Sequence, residues 1–410
     1  MKHITTVIIG AGHSGLAMSR ELSLRGVDHV VLERGQIANS WKTQRWDSLH
    51  LLTPNWMNGL PGMSYCGADK DAYMSVSRLV SEIHRFADYH QTPVQTETTV
   101  LAIDPLGDGY RVQTDQGAIT CQSVVMANGA CAQPAIPSFA VELPRYIRQL
   151  TPLSYKRPND LPGGKALVVG ASASGLQLAQ EIQASGRQVT LAVGNHVRLP
   201  RRYRRADILH WLDTLGLSEI PFDQMDDIDR VRRTPSPGLV AEHQLDLNTL
   251  TEIGVEIAGR LEMIRDETAL FSGSLENKCA AADLKMNRLL QTIDDWIASE
   301  GFEEFFPPSQ RFAATRVPDR PRLQLNFAKE RFESVIWATG FRPDFNWLNL
   351  PVFDRKARLQ HHGGLVAQGL YVMGLPYLRQ RKSTFIAGAS EDAHALAAHL
   401  RCNLDQRLVA

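Results

Sequence analysis

Cysteine is scarce in these 410 residues: there are five, Cys66, Cys121, Cys131, Cys279 and Cys402, with no Cys-x-x-Cys pair and no metal-ligand spacing. This argues against a disulfide-stapled scaffold and a cysteine-built metal site, and it fits a reducing compartment. Net charge is lacking too. Forty-four basic residues balance forty-four acidic ones, so no overall field draws the chain to nucleic acid or to an anionic membrane. Apolar runs stop at strand length, short of the roughly 20 residues a membrane-spanning helix needs. Met1 to Ile4 leads straight into a strand-like run, which is expected to leave no room for a signal peptide. A cytoplasmic chain of two or three domains is expected.

What is present begins at once. Val7-Ile8-Ile9 enters the turn Gly10-Ala11-Gly12-His13-Ser14-Gly15, and the apolar-periodic Leu16, Ala17 and Leu22 follow. The first glycine permits the tight turn, the second lets backbone approach a pyrophosphate, and the third lets helix pack on strand. A second strand, His29 to Leu32, ends in Glu33-Arg34, at the spacing where an acid meets ribose hydroxyls. This is an adenine-dinucleotide site. His13, inside the turn, is read as packing or hydrogen bonding there.

Three tryptophans follow in a loop-rich stretch: Trp41, Trp46 and Trp56. Either they are packing residues or they cover a flat aromatic cofactor ring, and the second is the expectation. Ser77 to Ala87 reads as an amphipathic helix. Strand-like runs cover Thr98–Ile103, Tyr110–Gln113, Ala118–Cys121 and Ser123–Met126. The last leads into Ala127-Asn128-Gly129, a turn suited to close backbone approach. Pro134, Pro137 and Pro144 mark a linker.

The pattern then restarts. Lys165 to Val169 enters Gly170-Ala171-Ser172-Ala173-Ser174-Gly175, and strand Val189–Val193 ends in Gly194-Asn195 without an acid. Arg198, Arg201 and Arg202 come shortly after. An acid favours a free ribose, whereas arginine accommodates a 2′-phosphate, so the first turn suits FAD or NAD and the second NADP. Strand Ser334–Trp337 closes on Ala338-Thr339-Gly340, as Ser123–Met126 closes on Ala127-Asn128-Gly129. The whole unit is repeated. Between the copies, Ala281–Ala298 reads as an amphipathic helix whose apolar face suits a lid, a dimer seam or, first, ordinary core.

With these motifs the chain resembles the class B flavoprotein monooxygenases, the family of flavin-containing and N-hydroxylating enzymes, most closely their bacterial branch. The matching stretches are Gly10–Gly15 with Glu33-Arg34, Trp46–Pro54, Gly170–Gly175, Leu199-Pro200-Arg201, Ala338–Asp344 and the tail Gly369–Asp392. The resemblance implies an α/β protein of two Rossmann-like domains, with parallel central sheets, β-meander crossovers and the NADP domain inserted into the FAD domain. The expected boundaries are 1–148 with 331–410 for FAD and 149–330 for NADP, with a partly helical insertion near 206–310. It implies that NADPH reduces FAD, that a flavin C4a-(hydro)peroxide forms with O₂, and that a small organic substrate is oxygenated at nitrogen, sulfur or carbon.

FAD contacts are expected from Gly10, Gly12, His13, Ser14, Gly15, Glu33, Arg34, Trp41, Trp46, Thr53, Ala127, Gly129, Ser383 and Phe385. NADP contacts are expected from Gly170, Ser172, Ser174, Gly175, Arg198, Arg201, Arg202, Thr339 and Gly340. No metal is expected, and the assembly is a monomer or homodimer. The chain departs from the family where its histidine fingerprint should stand: Thr151 replaces the histidine and Tyr155 supplies the aromatic. A flavin-side asparagine also lacks a match near Leu52 and Thr53, which leaves Thr53, Asn55 and Thr151 as flavin-side candidates and no named catalytic group. Two other readings stay open: an FAD-dependent NAD(P)H oxidase or reductase without oxygenation, and a non-catalytic redox sensor. A disulfide reductase fits poorly, because no cysteine pair is present and only about seventy residues follow Gly340.

Overall fold

A computed structural model of the chain describes residues 2–409. In the first lobe β1 (Lys2–Ile9) runs into α1 (His13–Leu24) and returns as β2 (His29–Leu32). After α2 (Asn39–Thr43) and a long irregular stretch, α3 (Val76–Tyr89) buries Leu79, Ile83, Phe86 and Ala87. Ser75 caps this helix, its hydroxyl accepting the Arg78 N–H. β3 (Val94–Gln95), β4 (Val100–Leu106), β5 (Gly109–Thr114) and β6 (Gly117–Met126) follow. The two runs expected at 118–126 are one strand. Its first part pairs antiparallel with β5, while residues 119–126 pair parallel with β1.

β7 (Gln133–Pro134) leads into the second lobe, through β8 (Arg148–Leu150), β9 (Lys165–Val169), α4 (Ala173–Ala184) and β10 (Val189–Ala192). Then come β11 (Arg202–Tyr203), β12 (Ala206–Asp207), α5 (Ile208–Thr214), α6 (Ile228–Arg232) and α7 (Leu247–Glu252). β13 (Glu256–Ala258), β14 (Leu261–Arg265), β15 (Thr268–Phe271), α8 (Leu275–Ser299), β16 (Gln324–Asn326) and β17 (Phe332–Trp337) complete it. β18 (Phe341–Arg342) pairs back with β7, and β19 (Leu365–Ala367), β20 (Leu370–Val372) and α9 (Gly388–Val409) return to the first lobe.

The first sheet runs β19-β20-β6-β1-β2-β3, with β5 and β4 continuing from β6. The second runs β13-β10-β9-β17-β8 and is parallel throughout. In each, the strand before the Gly-rich turn lies between the strand after the helix and the closing strand. Their carboxyl ends are level: Ile9 pairs with Leu32 and Met126, and Val169 pairs with Ala192 and Trp337. That is where open α/β sheets take ligands. Parallel strands must be covered on both faces. Ala166 and Val168 point into one core with Leu176, Leu178 and Ile182 of α4, and Leu167 and Val169 point into another with Phe271 and Leu325 of the meander β14-β15-β16.

Two expected boundaries shift. β17 belongs to the second sheet, so the return to the first lobe falls after Gly340 and not at 331. The insertion expected over 206–310 is interrupted, because β13 extends the second sheet and β14 and β15 form its meander. The face of α8 is core. Met286, Leu290, Ile293 and Ile297 pack against Ile208, Leu209 and Trp211 of α5, together with Met57 from the first lobe.

Candidate functional site

At the first turn, packing explains two of the three glycines. Gly10 has φ +104°, and a Cβ there would stand 2.6 Å from the Ala127 carbonyl oxygen. A Cβ on Gly15 would stand 1.9 Å from the Gly10 carbonyl oxygen, so helix and turn touch backbone to backbone. A Cβ on Gly12 meets nothing within 4 Å. The open glycine begins α1, whose N-terminus has no side-chain cap. Uncapped N–H groups and the helix dipole together make an anion cradle. Gly129 is open in the same way.

Glu33 is buried at the edge of this cradle. Its Oε2 accepts the Ala11 N–H at 2.9 Å and its Oε1 accepts the Gly35 N–H at 3.1 Å. The acid thus braces the turn from the end of β2. Arg34 is exposed. Gly374, at the end of β20, faces Ser14, with a Cβ position 3.0 Å from Oγ. Burial holds the His13 imidazole down to about 4, so the ring is neutral at physiological pH. Its Nε2 is shut off from solvent without a partner among the described residues.

The second turn repeats this geometry. Gly170 has φ +109° and a Cβ position 2.4 Å from the Ala338 carbonyl oxygen, and the Gly175 position is 1.8 Å from the Gly170 carbonyl oxygen. Ser172 stands where Gly12 stands, again without a side-chain cap on the helix. Ser174 is half-buried. Gly340 is open, while the Thr339 hydroxyl donates to the Ala135 carbonyl at 2.7 Å. Residues 236–240 lie across this turn, with the Ser236 carbonyl accepting the Ala173 N–H at 3.3 Å and the Leu239 carbonyl accepting from Gln177 at 2.7 Å.

Several expected contacts are spent elsewhere. Arg198 is buried and ion-paired with Asp246 and Asp283, both at 2.7 Å, and also donates to the Ala313 carbonyl and the Thr315 hydroxyl. Burial opposes its charge, yet the two carboxylates outweigh this and hold its pKa above the ordinary value. Arg201 is 2 % exposed, pairs with Asp207, donates to the Leu52 and Val240 carbonyls, and stacks on Tyr73 at 4.7 Å. Tyr73 donates to the same Asp207. Both arginines are therefore corrected from phosphate ligands to internal pins, Arg201 joining the two lobes. Arg202 alone of the three is exposed.

Trp46 is corrected as well. It is buried in the second-lobe core beside Leu150 and Tyr155, while Trp41 packs on the first-lobe core under Arg45 and Trp56 packs on the α5–α8 cluster. The three indoles serve three cores and do not form one platform. The Thr53 hydroxyl donates to Asn58 at 2.6 Å, and the Asn55 amide donates to the Asp69 carbonyl at 2.9 Å, leaving Asn55 Oδ1 buried and unpartnered among the described residues. Thr151 sits with Ser154 in the turn after β8. Ser383 Oγ accepts the Arg379 and Gln380 N–H groups, and Phe385 packs on the α5–α8 cluster. Sequence reasoning misses Tyr73 and Asp207, whose roles exist only across the lobe interface.

Burial pushes the Cys121 thiol up to about 12 and the Cys279 thiol up to about 11, and raises Cys131, so none of the three is a ready nucleophile. Among the described residues no group of three or more His, Cys, Asp or Glu side chains is arranged to hold a metal, and no helix is long and apolar enough to cross a membrane. The arrangement offers two anion cradles at the carboxyl ends of two parallel sheets.

The sequence profile of the pyridine nucleotide-disulphide oxidoreductases matches residues 7–220. The chain belongs to this family. It is 28 % identical to an uncharacterised CzcO-like oxidoreductase of Geobacillus kaustophilus strain HTA426, over 97 % of this chain and 98 % of that one. It is 26 % identical to the indole-3-pyruvate monooxygenase YUCCA6 of Arabidopsis thaliana, over 95 % and 88 %. Its fold superimposes on a flavin-containing monooxygenase from Stenotrophomonas maltophilia with a TM-score of 0.67, at 16 % identity, covering 98 % of this chain and 99 % of that one. The two-domain architecture and the likeness to class B flavoprotein monooxygenases stand with these matches. The family is one of oxidoreductases.

Proposed function

We propose that this chain is an FAD-dependent monooxygenase that takes its electrons from NADPH. The observation that carries the reading is the duplicated turn with unlike ribose ends. Gly10, Gly15 and Ala127 repeat as Gly170, Gly175 and Ala338, but Glu33 marks the first and no acid marks the second. FAD would be held at the first turn by Gly12, Ser14, Glu33 and Gly129, and NADPH at the second by Ser172, Ser174 and Gly340. Bound FAD supplies a hydride acceptor and a centre for oxygen activation, so the chain needs no nucleophile-and-base set of its own. Its own groups bind and orient: helix N-termini take the pyrophosphates, and the lobe-bridging segment with Leu52, Arg201 and Tyr73 fixes the two cradles relative to each other. O₂ and a small organic substrate would be its reaction partners.

The test has two stages. Purified protein should release FAD on unfolding, and under anaerobic conditions NADPH should bleach that flavin faster than NADH does. A colourless protein overturns the proposal. On admission of O₂ with a panel of amines, thioethers and aromatic substrates, oxygenated product should form in step with NADPH consumed. Hydrogen peroxide in that same ratio, whichever substrate is offered, would instead establish an NADPH oxidase.

A further inference from the structure

Of the three arginines expected at the second ribose end, Arg198 and Arg201 are held in internal ion pairs, and the exposed Arg202 stands near Tyr73. The equivalence of the two lobes shows where the replacement comes from. The Gly10 N–H donates to the Leu32 carbonyl at 2.7 Å and the Gly170 N–H to the Ala192 carbonyl at 2.9 Å, so Leu32 and Ala192 correspond. Glu33 then corresponds to the fully buried Val193, and Arg34 to Gly194. At Gly194 the side-chain space is not empty. A Cβ built there would stand 3.8 Å from both Cγ and Cδ of Arg260, with no other residue within 4 Å.

Arg260 arrives from the neighbouring strand. β13 pairs with β10 up to Ala192 and Ala258, the Val193 N–H continues the ladder to the Ala258 carbonyl at 2.9 Å, and Arg260 lies two residues beyond. Its backbone is fixed: the Ser272 N–H donates to the Arg260 carbonyl at 2.8 Å, and a side chain on Gly259 would collide with the Ser272 carbonyl oxygen at 1.9 Å. Its guanidinium, by contrast, is open. The side chain is 60 % exposed, and its ion-pair partner is Glu262 at 3.8 Å, itself 48 % exposed. A fixed stem, an open guanidinium and an apolar Val193 in place of an acid together make a phosphate-accepting ribose end.

We infer that Arg260 is the residue by which the second lobe distinguishes a 2′-phosphate from a free ribose hydroxyl, in the place that Arg34 fills in the first lobe. This rests on the proposed use of NADPH. Arg202 has a different setting, beside Tyr73 at the lobe interface.

Titration calorimetry on the flavin-loaded protein with 2′,5′-ADP and 5′-AMP separates the possibilities. The wild type should hold 2′,5′-ADP at least about tenfold more tightly than 5′-AMP, the scale of one charge-assisted bond. Arg260→Gln should abolish that difference and leave 5′-AMP binding unchanged, Arg260→Lys should restore part of it, and Arg202→Gln should keep the wild-type ratio. A wild type that does not discriminate overturns both this inference and the NADPH reading. A wild type that discriminates, with Arg260→Gln discriminating equally well, overturns this inference alone.

Discussion

At the end of β2 the first lobe carries Glu33, and at the matching end of β10 the second carries Val193, although the turns behind them repeat the same close backbone contacts. The difference extends to how each lobe keeps buried charge. In the second, Arg198 is enclosed by Asp246 and Asp283. In the first, Asp392 at the start of α9 is buried with Oδ2 unpartnered among the described residues. Burial raises it to about 6, with the Ser383 hydroxyl and Arg379 opposing that rise. One backbone solution for a dinucleotide cradle therefore tolerates quite different electrostatics around it. The turn geometry is set by glycine contacts, and the lobes differ in the side chains outside the turn.

The largest expected effect breaks the second lobe through its charge. Arg198→Ala leaves two buried carboxylates without a cation and should cost about 3–5 kcal/mol in urea unfolding. A loss under about 1 kcal/mol would mean that the aspartates protonate freely and that the network is not a structural unit. Next, Gly15→Ala and Gly175→Ala each force a methyl group onto a carbonyl oxygen and should cost about 1–3 kcal/mol. Their chemistry should split: Gly15→Ala protein should purify with little flavin, whereas Gly175→Ala protein should keep flavin and lose its reduction by NADPH. Equal loss of flavin in both variants would dissolve the distinction between the cradles.

A smaller effect, of opposite sign, belongs to Asp392→Asn. A carboxyl raised when folded stabilises while protonated, and that contribution is lost as pH rises from about 4 through 6. The asparagine variant should therefore be more stable than wild type at pH 8, by roughly 1–3 kcal/mol, and no more stable at pH 4. Thermal melts at both pH values check this, and an unchanged difference between them would refute it. The smallest effect belongs to the open glycine of the first turn. Gly12→Ser adds a side chain where a Cβ meets nothing, so stability should move by less than about 0.5 kcal/mol. Flavin retention after extensive dialysis reports whether Gly12 is needed for the cofactor and not for the fold.

Much of this architecture is legible in the sequence. Both turns, the helices behind them, Glu33, the closing strands and the helix over 281–298 lie within short windows where periodicity and glycine spacing act locally. Arg198, Arg201 and Trp46 mislead for one shared reason. Each looks available in its own segment, and each is consumed by partners far along the chain: Asp283 is 85 residues from Arg198, Leu52 is 149 residues from Arg201, and Trp46 joins a core drawn from residues 150–338. The boundary expected at 331 fails similarly, because only strand pairing tells that β17 closes the second sheet.

Local chemistry thus determined that this chain carries two turns of the dinucleotide type and where each falls, since a glycine turn between strand and helix needs no distant partner. Which arginines remain free, which tryptophans face a core, and which arginine stem lies beside Gly194 were decided by tertiary packing. A long side chain's role depends on what lies within a few ångströms of its tip, and sequence separation does not encode that distance.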